Sequence, residues 1–156
     1  MNNTTPAPGP RYQALLQLLR TAETLWNGSR VFFSRWDLSP SQFNLINLLH
    51  DRTDGLSQTE LSQQLIMHRS NVTGLVDRLE GRGLIRRQDS PGDRRAYRVV
   101  LTPAGRKLLG KILPVYYRAA EEIWGDFSPV QAGALAADLA RLAENIDQFT
   151  RKLPEK

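Results

Sequence analysis

The sequence predicts a mainly α-helical fold with one β-hairpin set among its helices. Three observations predict it. Apolar residues recur at helical spacing along most of the 156 residues. Ser-Pro or Thr-Pro opens three of those stretches, at Ser39-Pro40, Thr102-Pro103 and Ser128-Pro129. There the hydroxyl caps an orphan N–H and proline suits the first helical position. Between them, Ala96 to Leu101 follows the period of a strand instead.

The elements follow in order. Residues 1–10, MNNTTPAPGP, read as a disordered arm. From Arg11 to about Ser34, Tyr12, Leu15, Leu16, Leu19, Ala22, Leu25 and Trp26 mark a first helix. A second follows Ser39-Pro40 and turns Phe43, Ile46 and Leu49 inward, and DRTDG after it is a turn. Ser57-Gln58-Thr59-Glu60 is a capping box that opens a short third helix with Leu61 and Leu65 inside. A fourth spans about Arg69 to Glu80, with Val72, Leu75, Val76 and Leu79 on one stripe, and Gly81 and Gly83 end it. Leu84 to Gln88 and Ala96 to Leu101 form two strands around a turn at Ser90 to Arg94. Alternation puts Tyr97, Val99 and Leu101 on one face and Arg98 and Val100 on the other. Two longer helices follow, Pro103 to about Trp124, kinked by Pro114, and Pro129 to about Lys152, with KLPEK as a loose tail. The segments behind the three Ser/Thr-Pro starts differ, so these are not a repeat.

Composition narrows the function. Hydrophobic residues make up 40% and charged residues 24%, as in a soluble globular domain. No apolar run approaches the roughly 18 residues of a membrane span, and the N-terminus lacks the pattern of a signal peptide. The expectation is a cytoplasmic protein with no membrane association. There is no cysteine, which excludes disulfides, thiolate metal sites and cysteine redox sensing. With only His50 and His68, a Cys/His catalytic pair and a zinc cage are absent too. DRTDG lacks the later ligands of a calcium loop, and no glycine-rich phosphate motif occurs. The expectation is no enzyme, no metal and no cofactor. The net charge is +5, a bias toward an anionic partner. Arg69, Arg78, Arg82, Arg86, Arg87, Arg94, Arg95 and Arg98 crowd one stretch, opposed only by Asp77, Glu80, Asp89 and Asp93.

The fourth helix, RSNVTGLVDRLE, carries the functional signal. At about 100° per residue, the face opposite its apolar stripe shows Ser70, Asn71, Thr73, Gly74, Asp77 and Arg78. Short hydroxyls and an amide suit base edges in a major groove, and Arg69 and Arg78 suit phosphates or guanine. Gly74 costs about 1 kcal/mol relative to alanine inside a helix and lets the backbone approach a surface closely. An ordinary solvated helix face accounts equally well for these residues taken alone. The hairpin adds context. A two-stranded wing after such a helix sets its tip beside the neighbouring minor groove, where negative potential attracts arginine. Asp93 stands two residues from Arg95 and suits holding its orientation. A solvated charged tip is the alternative for the hairpin alone.

Taken together, LSQTELSQQLIMHRSNVTGLVDRLEGRGLIRR and the following DSPGDRRAYRVVLTPAGRKLL resemble the winged helix–turn–helix of MarR-type (multiple antibiotic resistance regulator) transcription factors. The D-x-R of the wing matches Asp93-Arg94-Arg95, and LTPAG is also family-like. The resemblance is close over Leu38 to Leu109 and extends to the flanking helices in layout. It implies a mainly α winged helix–turn–helix with a two-strand wing over residues 37–102, flanked by N- and C-terminal dimerisation helices at 11–36 and 103–152. It implies a homodimer on double-stranded DNA with a pseudo-palindromic operator, its half-sites about one helical turn apart. Ser70, Asn71 and Thr73, with Arg69 and Arg78, would read the major groove. Arg95, steadied by Asp93, would enter the minor groove with Arg94 on the phosphates. Ser57, Gln58 and Thr59 at a helix start would hold phosphates. Two positions depart from the family pattern: Ile66 replaces the usual turn glycine, and His68 stands where Ser or Thr is common, as a cap, a phosphate contact or neutral filler.

The resemblance also implies a repressor released by a small aromatic effector in a cleft between the dimer helices and the reading lobe. Trp26, Arg30, Phe33, Phe43, His50 and Tyr116 are the candidates, an arginine for a carboxylate and aromatics for a ring. Most sit on apolar stripes, so a core role competes. Two other readings stand beside the regulator. A winged-helix protein-interaction module would show an apolar outer face on the fourth helix. A non-specific DNA-architectural protein would bind every duplex alike.

Overall fold

Pro10 occupies the first position of α1 (Pro10–Ser34), so the helix begins one residue inside the segment read as an arm. The computed structural model describes residues 8–65, 69–90 and 93–154, with backbone only for Arg69, Ser70, Ser90 and residues 93–96. The expected disordered arm therefore lies mostly outside the described residues.

The remaining elements are α2 (Pro40–Leu48), β1 (Leu56–Ser57), α3 (Gln58–Gln64), α4 (Arg69–Gly81), β2 (Ile85–Ser90), β3 (Asp93–Leu101), α5 (Pro103–Trp124) and α6 (Pro129–Thr150). Caps explain the starts. Ser39, Ser57 and Ser128 each form a full capping box, with Gln42, Glu60 and Gln131 as the reciprocal partners. Thr102 opens α5: its hydroxyl accepts from the Gly105 N–H at 3.0 Å and donates to the Gly83 carbonyl at 2.7 Å. Gly83, not Gly81, stops α4. It takes φ +67°, its N–H bonds the Glu80 carbonyl at 2.8 Å, and Leu84 N–H bonds the Leu79 carbonyl at 3.0 Å. That pair of bonds is a Schellman motif, which needs a left-handed residue at the glycine and leaves Gly81 helical. α5 continues as one helix through Pro114.

The sheet has three strands in the order β1-β3-β2, all antiparallel, where the sequence predicts two. The added strand is only Leu56–Ser57, pairing with Val99 and Arg98, too short to show a period of its own. The hairpin strands also run nearer the tip than expected, because Ser90 pairs with Asp93. Val99, Val100 and Leu101 are all buried, since the base of β3 is covered on both sides.

By contacts the chain divides into two units, Met1–Gly110 and Lys111–Lys156. The core of the first gathers Phe33, Phe43, Leu45, Ile46, Leu49, Leu61, Val72, Val76, Leu79, Ile85, Val99 and Leu101. All four residues of the expected α4 stripe are in it. In the second unit α6 buries none of its 22 residues. Among the described residues no helix is long and apolar enough to cross a membrane.

Candidate nucleic-acid interface

α4 is anchored by its apolar stripe, and the structure divides its polar surface in two. At about 100° per residue Thr73, Asp77 and Glu80 share one stripe, and Asn71, Gly74 and Arg78 share another. The first stripe faces the wing strands. Thr73 accepts a hydrogen bond from the Gln58 amide, and the other end of that amide accepts from the Tyr97 hydroxyl at 2.8 Å. Asp77 and Glu80 pair with the Arg87 guanidinium, and the Arg87 N–H donates to Glu80 at 2.7 Å. The same guanidinium lies 5.0 Å from the centroid of the Tyr97 ring, a cation–π contact. Burial disfavours the Arg87 charge, but hydrogen bonds to Asp77, Tyr97 and Glu80 outweigh it and its pKa is raised. Arg87 stays charged at any working pH.

The second stripe is open. Asn71 and Arg78 are exposed, and Gly74 lies between them. Arg78 folds back along the helix so that its guanidinium nitrogens stand 3.7 and 4.0 Å from where a Gly74 Cβ would be. The glycine thus leaves a flat place on α4 over which a long cation rests. Of the residues expected in a major groove, Asn71 and Arg78 sit on this open stripe, while Thr73 sits on the wing-facing one. Arg69 and Ser70 begin α4, with side chains outside the described ones.

The phosphate candidates separate in the same way. Ser57 spends its hydroxyl on the Glu60 N–H at 3.2 Å, and its own N–H donates to Glu60 Oε2 at 2.7 Å. Hydrogen bonds from the Ser57 hydroxyl and the Ser57 N–H, then the Arg98 and Arg52 charges, hold the Glu60 carboxyl below its ordinary 4.5 against the opposing effect of burial. Gln58 is bonded to Tyr97 and Thr73 as described, and Thr59 is exposed. His68 and Ile66 lie outside the described residues. So do the side chains of Asp93, Arg94 and Arg95, whose backbone forms the outer part of β3.

The arginine-rich stretch does two jobs. Arg82 binds the Asp37 and Trp36 carbonyls, the latter at 3.3 Å, and clamps the corner between α1 and α2. Arg98 donates to the carbonyls of Asp54 at 2.8 Å and Gly55 at 2.7 Å and lies 3.5 Å from Glu60. With Arg87, these are structural cations. Arg78 and Arg86 remain exposed. Alternation along β2 carries the signal: Arg87 falls on the Ile85 side, Arg86 on the other.

The effector candidates fall in both units. Phe33 and Phe43 stack in the core with centroids 4.2 Å apart, so both are packing residues. Trp26 is exposed on α1, and His50 is exposed beside Asp51 at 3.8 Å. Tyr116 lies in the Lys111–Lys156 unit. Arg30 lines a shallow depression of about 320 Å³ with Ser34, Asp37, Ser39 and Gln42.

Comparison with known proteins places this architecture. A family model described as MarR family matches residues 36–96. The chain is 32% identical over 105 residues to the transcriptional repressor MprA of Escherichia coli strain K12, covering 67% of this chain and 60% of MprA. It is 30% identical over 128 residues to the HTH-type transcriptional regulator PapX of Escherichia coli, covering 81% of this chain and 78% of PapX. Its fold is similar to that of Sco3205, a MarR family regulator of Streptomyces coelicolor solved in complex with DNA. That likeness has a TM-score of 0.80 and 24% identity, and covers 92% of each chain.

Proposed function

The chain belongs to the MarR family, and from that premise we propose that it is a sequence-specific DNA-binding regulator of transcription, acting as a homodimeric repressor. It is not an enzyme. One observation carries the DNA reading: α4 gives one face to the core and one to the wing, and keeps Asn71, Gly74 and Arg78 open beside a hairpin. In the proposed complex that stripe enters the major groove, with Ser70 and Arg69 at the leading end of the helix. Asn71 reads a base edge and Arg78 a phosphate or guanine. The wing carries Arg95 to the minor groove, oriented by Asp93, with Arg94 on phosphates. Thr59 is the exposed phosphate candidate at the start of α3.

The homodimer has its own support. α6 leaves Leu135, Leu139, Ile146 and Phe149 exposed, and α1 leaves Tyr12, Leu19, Leu25 and Val31 exposed. Helices with apolar faces open to water are incomplete until covered. A two-fold dimer then presents two reading helices to a pseudo-palindrome. Release by a small aromatic acid completes the proposal. With Phe33 and Phe43 in the core, the depression beside Arg30 is the place where a carboxylate meets a cation.

Selection of bound sequences from random duplex DNA tests the main reading. One pseudo-palindrome should be enriched, preferred by about 10³-fold or more over other duplexes, with affinity falling steeply as salt rises. Equal affinity for every duplex would instead establish the architectural alternative. The polar side chains of Asn71 and Arg78 on the open stripe speak against a protein-interaction module.

A further inference from the structure

We propose that Gln58, Tyr97 and Arg87 are positioning residues for DNA recognition: they hold the base of the wing at a set angle to α4 and so fix the spacing between the two groove contacts. The inference rests on the DNA-reading proposal above and assigns to Gln58 a different task from phosphate binding.

The bonds form a closed loop. It leaves α4 at Thr73, passes through the Gln58 amide at the start of α3, and reaches the Tyr97 hydroxyl on β3 at 2.8 Å. From the Tyr97 ring it crosses 5.0 Å to the Arg87 guanidinium on β2, and from there returns to α4 at Asp77 and Glu80. The loop meets α4 at positions four and seven residues apart, a rise of about 6 to 10 Å. A hairpin held at one point pivots; held at points this far apart, it does not. The leverage is large. Tyr97 is four residues from Asp93 along β3, about 13 Å of strand. A tilt of about 10° at Tyr97 moves the tip by about 2 Å over that length, several times the slack of a hydrogen bond. An error of that size takes the wing out of its groove while α4 stays seated.

The test uses the full-length protein, the operator selected by wild type, and the variants Tyr97→Phe, Gln58→Met and the double variant. Phenylalanine keeps the ring under Arg87 and removes only the hydroxyl, and methionine keeps length without the amide. Tyr97→Phe should lose about fivefold in operator affinity, the worth of one hydrogen bond, and Gln58→Met, which removes the bonds to both Thr73 and Tyr97, up to about twenty-five-fold. The double variant should lose no more than the worse single, because both break one relay. Hydroxyl-radical protection of the minor groove at the operator flanks should weaken, while guanine N7 protection in the major groove persists. Wild-type affinity in both singles overturns the proposal, as does full additivity. Equal loss of both protections with a lowered melting midpoint also overturns it, since that marks a merely structural role. If wild type enriches no sequence, the DNA-reading proposal falls and this one with it. If wild type reads a sequence and the variants match it, only the positioning role falls.

Discussion

Replacing Gly74 with alanine should make the protein more stable and worse at binding DNA, and the opposite signs make the experiment decisive. Among the described residues a Cβ at this position meets only the Arg78 guanidinium, at 3.7 and 4.0 Å, which is ordinary contact. None of the described residues has to move. Alanine relieves the cost of glycine inside a helix, so unfolding should cost about 1 kcal/mol more, a fivefold gain in the folding constant. Binding should respond the other way. The added methyl stands between Asn71 and Arg78 on the open stripe and holds the α4 backbone off the groove floor. Losing one well-placed base contact costs about 1–3 kcal/mol, or roughly fivefold to a hundred-and-fiftyfold in Kd. Urea denaturation gives the first quantity and fluorescence anisotropy on the selected operator gives the second. A variant that gains stability and keeps full affinity refutes the close approach of α4 to DNA. One that loses stability refutes the open surroundings of Gly74.

Gly105→Ala should behave differently, because a Cβ there collides with the Leu84 carbonyl and lies 3.1 Å from Leu101 Cδ2. That carbonyl accepts the Thr102 N–H at 3.1 Å, so it has little room to retreat. Overpacking plus the strained bond, less the helix gain of alanine, predicts a net loss of about 1–3 kcal/mol in urea unfolding. Asn71→Ala should flatten base preference at one operator position with the circular dichroism spectrum unchanged; an intact preference across mutated operators counts against its reading role. Arg95→Ala should weaken operator binding at least about tenfold at unchanged stability if the wing enters the minor groove. Glu60 supplies a pH prediction. Its folded pKa lies below the ordinary 4.5, so its contribution to stability is present above that value and is lost as pH falls through the folded pKa. Glu60→Gln should therefore lower urea midpoints near neutral pH and narrow its gap to wild type as the medium is acidified below the ordinary 4.5.

Much of the fold is local, and its elements are legible for that reason. The Ser39, Ser57 and Ser128 starts rest on bonds within three residues of each cap, and all three appear as capping boxes. The α4 stripe follows from helical period alone, and Val72, Leu75, Val76 and Leu79 are all in the core. What is not legible depends on long-range pairing. β1 exists because Leu56 meets Val99 across the sheet, and no period marks two residues. The burial of Val100 is not legible because the loop ending at Gly55 covers the second face of β3; a Cβ on Gly55 would strike Val99 and Val100. The site divides along the same line. Asn71 and Arg78 stand where helical geometry puts them. Gln58, Thr73 and Ser57 have polar chemistry that suits DNA equally well, and only the positions of Tyr97 and Glu60 show where their bonds go.

The family of this chain is written in its residues, from the capping box at Ser57 to the LTPAG that opens α5, because helix starts, stripes and turns are decided by neighbours in sequence. The division of labour among its arginines is decided by the tertiary structure alone. Arg78 and Arg87 are the same side chain in one basic stretch. One rests exposed over a glycine, and the other is held among Asp77, Glu80 and Tyr97. Whether an arginine is held or left exposed is decided by residues on other elements of the fold.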